Sequence, residues 1–422
     1  MRIETKCVQA GYQPENGQPR ILPIYQSTTY KYDSAEHLGK LFDLTAPGHM
    51  YTRISNPTVE MVENKIAALE GGVGAMLTSS GQAANLLAVL NIASAGDNIV
   101  CASAIYGGTI NLFGFTLKRL GIEARFFTPE ATDEEISALF DERTRLVFGE
   151  TVANPALIVC DIERLAHIAH AHDVPLVIDN TFPTPVLCRP IEFGCDIVVH
   201  STTKYMDGHA SVVGGCIVDS GNFDWEKAGK YPELTEPDES YHGVVYTKSF
   251  GRAAYINKAR AQLMRDFGCT PQPIAAFMLN LGLESLPVRI ERHCQNAQAV
   301  AEYLEKHPKV SWVNFPGLAS SPQHALAQKY LPRGVCGVIS FGVKGGREAA
   351  MKFMDSLRLA QIVVHVADAR TSVLHPASTT HRQLTDEQLV DAGISADLVR
   401  LSVGIENIED ILEDLEQAFK KI

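Results

Sequence analysis

Apolar and polar positions change their period several times along this chain. Val59, Val62, Ile66 and Leu69 recur at helical spacing, with Asn56 placed as N-cap, Pro57 at the first helical position and Gly71-Gly72 as the stop. Beyond this helix, short apolar runs alternate with amphipathic ones. Strands are predicted at 75–78, 98–102, 123–127, 145–148, 176–178 and 197–199. Helices are predicted between them at 82–93, 109–120, 133–141 and 162–172, the last capped by Asp161. Such alternation implies right-handed βαβ units, hence a doubly wound, mostly parallel sheet with helices on both faces. Past Gly251 the pattern turns helical at 254–267, 272–285 and 288–306. A smaller α+β region follows, with strands near 337–343 and 399–403 and helices near 347–357 and 408–420. Residues 1–56 show little period and many turn formers, as an arm would. The chain therefore reads as an arm (1–56), a doubly wound α/β domain (57–286) and a C-terminal α+β domain (287–422), the boundary falling at Leu286-Pro287.

Composition narrows the function classes. A chain of 422 residues, 45% hydrophobic and 20% charged, can bury cores for two domains. A formal net charge of −12 disfavours nucleic acid and anionic membrane as partners, since both would repel it. Met1–Lys6 lacks an apolar signal core and no run nears the roughly 18 apolar residues of a spanning helix, so a cytoplasmic protein is expected. The nine cysteines are odd in number and form no Cys-x-x-Cys pair, which indicates neither a disulfide framework nor a zinc site. His375 and His381 have no accompanying carboxylate or cysteine set, so no metal is expected.

The densest chemistry follows the strand at 197–199. There His200-Ser201-Thr202-Thr203-Lys204-Tyr205 turns among hydroxyls, and the small run 210–215 leaves room for a flat ligand. A lysine shielded by apolar strands can lose its proton and form a Schiff base, while Ser201 and Thr203 can hold phosphate oxygens. Upstream, Asp179 ends an apolar strand. In an open α/β sheet ligands sit at the carboxyl ends of strands, so Asp179 and Lys204 should face one crevice. Pyridoxal 5′-phosphate needs that pair, an amine for its aldehyde and an anion for its ring nitrogen. Three further motifs admit two readings each. Ser80-Gly81-Gln82 can be a plain helix cap or a phosphate-binding helix N-terminus. Tyr106, before Gly107-Gly108, can be a core ring or a stacking ring. Arg400, alone in an apolar strand, can face water or grip a carboxylate in two-point contact.

Val177-Ile178-Asp179-Asn180-Thr181 followed by His200-Ser201-Thr202-Thr203-Lys204-Tyr205-Met206-Asp207-Gly208-His209 resembles the Cys/Met-metabolism group of fold-type I pyridoxal-phosphate enzymes, from about Thr5 to the C-terminus. The resemblance implies that Lys204, Tyr106 and Tyr51 form the catalytic set. It implies that Gly81 and Gln82 amides bind the cofactor phosphate, Tyr106 stacks on the ring and Asn154 contacts the ring hydroxyl. By the same resemblance Arg400 holds the substrate carboxylate, and Tyr51 and Arg53 reach into a neighbour's site, so a homo-oligomer with shared active sites, a homotetramer, is expected. Residues 231–243 resemble a segment of O-acetylhomoserine sulfhydrylases, whereas methionine γ-lyases carry a cysteine where Gly108 stands. The implied reaction joins O-acetylhomoserine with sulfide or a small thiol to give homocysteine or methionine, plus acetate. A methionine or cystathionine lyase or synthase of the same family is the alternative, and an inert binding protein on this fold is the alternative of another class. One departure stands out: the family pattern has a small polar residue at His365 and glycine at Ala367, so the substrate-carboxylate end is expected to be reshaped around His365.

Overall fold

Asn56 caps the first long helix as predicted, its side chain accepting the Thr58 amide at 3.0 Å. The computed structural model describes residues 1–379 and 395–422. Ahead of Asn56 the arm is less irregular than its sequence suggests, containing α1 (Ile3–Gln9) and α2 (Ala35–Phe42). Helices of two turns or so show too few repeats for a period to be read. The helix that Asn56 caps, α3 (Pro57–Glu70), ends at Gly71 in the left-handed region, φ 86°.

Two compact units divide the described chain. The first comprises Met1–Thr151, Asp161–Asp207 and Ser211–Glu284. Its strands are β1 (Gly74–Thr78), β2 (Asn98–Ala102), β3 (Glu123–Phe127), β4 (Thr144–Glu150), β5 (Leu176–Asp179), β6 (Ile197–His200) and β7 (Gly215–Asp219). They form one sheet in the order β1-β7-β6-β5-β4-β2-β3. From β6 to β3 all pairs are parallel, as the alternation implies. β7 was not predicted, and it runs antiparallel to both β6 and β1. Helix α4 (Gly81–Leu90) packs on β6 and β7. One face of the sheet buries Ile99, Phe148, Val177, Ile197 and Ile217 with Leu87, Phe113 and Tyr255. The predicted helix at 109–120 is a short α-helix, Gly107–Asn111, continuing as a π-turn segment Leu112–Leu117, with Phe113 edge-on to Phe148 at 4.9 Å.

The second unit comprises Val152–Cys160, Gly208–Ala210 and Ser285–Ile422. Its strands are β8 (Val310–Asn314), β9 (Val338–Val343), β10 (Gln361–Ile362), β11 (Ser372–Leu374) and β12 (Leu398–Ser402), in the order β10-β11-β12-β9-β8. Helices Gly346–Asp355 and Ile408–Phe419 bring Phe353 and Phe419 together at 4.4 Å, with Phe341 of β9 beside Phe353 at 5.9 Å. The helix break expected at Pro287 does not occur, for one helix runs from Pro273 to Lys306. An internal proline costs about 3 kcal/mol. Leu283, Leu286 and Ile290 are fully buried around it, and each contributes about 1.5–3 kcal/mol, enough to outweigh the loss.

Candidate active site

In the first unit the parallel pairing of β5 with β6 brings Asp179 beside Val199, one residue before the His200-Ser201 corner. Thr181 locks this corner. Its hydroxyl donates to Asp179 Oδ1 and accepts the Ser201 amide at 2.8 Å, while its own amide reaches Asp179 Oδ1 at 3.0 Å. Among the described residues no hydrogen bond reaches Asp179 Oδ2, which leaves a buried carboxylate oxygen for a ligand donor. Burial pushes this carboxyl above its ordinary range, and the Thr181 hydrogen bonds and His200 oppose that rise.

Ser201 opens the turn that carries Lys204, which is half-buried, with its amide on Ser201 O at 3.3 Å. Thr203 Oγ1 donates to Gly214 O at 3.1 Å and accepts Gly214 N at 3.0 Å, tying the turn to the strand behind it. Gly282 backs the turn from the helix, since a Cβ there would lie 2.5 Å from the carbonyl oxygens of Met206 and Asp207. The small run 210–215 does not serve the open space expected of it. A Cβ at Gly214 would meet Thr202 Oγ1 at 2.5 Å and one at Gly215 would meet Ser80 O at 2.2 Å, so these glycines admit protein backbone rather than ligand.

That approach places the start of α4 against Ser201. A Cβ at Gly81 would be 2.7 Å from Ser201 Cβ. Ser80 does cap the helix, accepting the Ala83 amide at 3.1 Å. The cap leaves the Gly81 and Gln82 amides without a protein acceptor among the described residues, so capping and anion binding coexist. Two free amides, the Ser201 hydroxyl and the nearby Thr203 suit a phosphate, and Asp179 Oδ2 suits a protonated ring nitrogen. The residues of the first unit thus fit pyridoxal 5′-phosphate.

Tyr106 is held by its backbone, its amide donating to Glu150 Oε2 at 2.6 Å, and its ring is 48% exposed, as a stacking platform requires. Gly108 makes room for it: a Cβ there would sit 2.5 Å from Tyr106 Cε1 and 2.7 Å from Gln82 Nε2. Glu150 ends β4 directly beside Asp179. Burial first, and Asp179 second, raise its carboxyl well above the usual range, while the Tyr106 amide opposes that rise. Sequence reasoning passed over Glu150, although it closes an apolar strand just as Asp179 does. The arm residues lie elsewhere in this unit. Arg53 donates to the Arg265 carbonyl and lies 5.3 Å from the Tyr51 ring centroid, and Tyr51 is 40% exposed.

The second unit carries the other candidates. Arg400, in the middle of β12, is buried and donates to Val364 O at 3.0 Å, so the water-facing reading does not hold. Ser340, its cross-strand partner on β9, donates to Pro155 O at 2.7 Å, which draws Asn154 towards the same end of this sheet. Asn154 Oδ1 is buried without a partner, an acceptor waiting for a donor. His365 lies 3.9 Å from Asp368 Oδ2. Ala367, where the family pattern has glycine, adopts φ 69°, a region that favours glycine. His375 commits Nδ1 to Ser378 Oγ and Nε2 to Ala396 O, both at 2.9 Å, and His381 lies outside the described residues.

Residues 4–420 match the family model for Cys/Met metabolism PLP-dependent enzymes. The chain is 49% identical over 421 residues to the homocysteine synthase of Schizosaccharomyces pombe, covering 99% of this chain and 98% of that one. It is 48% identical over 420 residues to O-acetyl-L-homoserine sulfhydrylase 1 of Thermus thermophilus, covering 99% and 100%. A 2.35 Å crystal structure from Campylobacter jejuni, provisionally assigned as an O-acetylhomoserine (thiol)-lyase and carrying N′-pyridoxyl-lysine-5′-monophosphate, superposes with a TM-score of 0.95 at 36% identity over 100% of both chains.

Proposed function

The chain belongs to the Cys/Met metabolism PLP-dependent enzymes, and from that premise we propose that it replaces the acetoxy group on Cγ of O-acetyl-L-homoserine by a sulfur nucleophile, giving L-homocysteine from sulfide or methionine from methanethiol, with acetate released. Full-length likeness to a homocysteine synthase and to O-acetyl-L-homoserine sulfhydrylases carries this reading.

Pyridoxal 5′-phosphate, when bound, supplies an aldehyde that captures amines and a protonated ring that withdraws electrons from them. In this proposal the Gly81 and Gln82 amides, Ser201 and Thr203 hold its phosphate. Asp179 Oδ2 accepts the ring N–H, Asn154 Oδ1 takes the ring hydroxyl, and the Tyr106 ring lies on its face. Lys204 Nζ provides the anchoring amine, takes the proton from the substrate Cα and relays the Cβ proton that lets acetate depart from Cγ. Arg400 grips the α-carboxylate, with His365 at the same end. Tyr51 and Arg53 act on the phosphate of a neighbouring subunit, which makes the working unit at least a dimer and, by the same reading, a tetramer. Exposed Phe42, Phe267, Ile274 and Leu281 are the kind of apolar surface that subunit contacts cover.

Side-by-side assays test the reaction. Homocysteine formation from O-acetylhomoserine and sulfide should far exceed 2-oxobutyrate formation from methionine, because acetate leaves more readily than methanethiolate. The reverse order would establish a lyase instead. Lys204→Ala should fold and lose turnover. Activity at a tenth of wild type, a loss of only about 1.4 kcal/mol, would refute the role of Lys204.

A further inference from the structure

Beneath the Asp179 corner lies a buried carboxylate–imidazole pair to which the reaction assigns no step. Glu70, the last residue of α3, and His200, the last residue of β6, meet at 2.6 Å with both side chains fully buried. Glu70 Oε1 also accepts Asn180 Nδ2 at 3.1 Å, and Asn180 Oδ1 accepts the Thr151 hydroxyl at 2.9 Å. As a stabilising device the pair is poor. Burying polar groups costs free energy wherever an atom lacks a hydrogen-bond partner, and here Glu70 Oε2 and His200 Nδ1 remain buried without partners. Its contacts point elsewhere. Asn180 follows Asp179 in the chain and His200 precedes Ser201, so one carboxylate oxygen holds the residues adjoining both the ring-nitrogen site and the phosphate site.

Charge accounting points the same way. The titratable groups facing this floor are Asp179 and Glu150 at the ends of β5 and β4, Cys195 ahead of β6 and Cys216 in β7. Burial raises both thiols and the Glu150 carboxyl well above their ordinary values. His200 opposes the rise that burial causes in Asp179.

We propose that Glu70 and His200 are positioning residues for the cofactor: Glu70 anchors His200 and Asn180, and the imidazole and amide so held fix the ends of β6 and β5 that present Ser201 to the cofactor's phosphate and Asp179 to its ring nitrogen. The inference rests on the reading of the first unit as a pyridoxal-phosphate site. Its test uses purified wild type, Glu70→Gln, His200→Gln, Asp179→Asn and the His200→Gln/Asp179→Asn double variant. Each is stripped of cofactor, checked for folding by thermal unfolding, and titrated with pyridoxal 5′-phosphate while the absorption band of the bound cofactor is followed. Glu70→Gln and His200→Gln should each weaken cofactor affinity at least tenfold and shift the band. In the Asp179→Asn background, adding His200→Gln should change affinity less than threefold, because the carboxylate whose position it holds is already gone. Wild-type affinity and band in folded His200→Gln would overturn the proposal, as would losses that multiply in the double variant. If His200→Gln does not fold, Glu70→Gln, which is isosteric and keeps an acceptor for Asn180, carries the same comparison with Asp179→Asn. Failure of the wild type to take up the cofactor would overturn the site reading together with this inference. Uptake by wild type with unchanged variants would overturn the inference alone.

Discussion

Tyr106 and Gln82 both occupy the space that a side chain at position 108 would need. An alanine there would bring its Cβ to 2.5 Å of the tyrosine ring and 2.7 Å of the glutamine amide, distances that real contacts do not tolerate. Both neighbours are mobile ends rather than backbone, and the Tyr106 ring is half exposed, so the strain is relieved by moving them. Gly108→Ala should therefore change stability by less than about 1 kcal/mol, within the range of surface substitutions, while displacing the proposed stacking ring. Cofactor affinity should fall about tenfold or more and homocysteine synthesis should slow, measured by cofactor titration and steady-state rates. Unchanged cofactor affinity would mean that the ring does not depend on position 108.

Two elements depend on single polar residues for their placement. Asn56 does more than cap α3: its Nδ2 donates to Tyr25 O at 2.8 Å, Tyr30 Oη at 3.0 Å and Thr52 Oγ1 at 3.1 Å, gathering the arm onto the helix start. Losing a cap costs about 1 kcal/mol, and the two Nδ2 protons can make two of these three bonds at a time, each contributing about 0.5–1 kcal/mol. Asn56→Ala should lower stability by about 2–3 kcal/mol and open the arm to limited proteolysis ahead of residue 57. Denaturant titration and the cleavage map check both. The helix Ile162–Ala171 is docked by another such contact, His170 Nε2 to Asp196 Oδ2 at 2.7 Å, and Asp196 also accepts the Leu176 amide that starts β5. The Asp196 hydrogen bond raises the His170 pKa in the folded protein. A raised base contributes stability that is complete below the unfolded value and disappears as pH climbs through the folded one. His170→Gln should thus be less stable than wild type below about pH 6, by under about 1 kcal/mol because the histidine is partly exposed, with the gap narrowing towards pH 9. Melting temperatures across that range test it, and a gap that widens with pH would refute the pairing.

For the molecule as a whole, the assembly is the property to test. Arg53 rests on the Arg265 carbonyl of its own unit, and Tyr51 stands 40% exposed beside it. If these side chains serve a neighbour, an Arg53→Ala chain and a Lys204→Ala chain, each inactive alone, should regain partial activity once subunits exchange. A hybrid can contain one site with both residues intact. Absence of recovery, with exchange demonstrated by differently tagged chains, would confine each site to one subunit. Among the described residues no helix is long and apolar enough to cross a membrane.

The local patterns carried far. Alternation of apolar strands with amphipathic helices, the Asn56-Pro57 helix start and the carboxylate ending an apolar run at Asp179 were all legible, because each depends on contacts within a few residues of the chain. In the second unit β9, β12 and the helix Ile408–Phe419 were legible, whereas β10 and β11, of two and three residues, and β8, whose five residues mix apolar with polar ones and are only partly buried, were not. What the pattern could not supply was partners distant in sequence. Periodicity shows that a residue is buried, not what it is buried against, so the antiparallel insertion of β7 between β6 and β1 had no local mark. Glu150 and Glu70 were likewise unremarkable letters, and His200 stood in the lysine motif with no role of its own. Only the sheet order sets Glu150 beside Asp179, and only folding closes the 130 residues between Glu70 and His200 into one hydrogen bond. The glycines at 214 and 215 show the same division: their smallness is written in the sequence, but whether a ligand or the Ser80 carbonyl fills the space is decided by the approach of backbone from another part of the sheet.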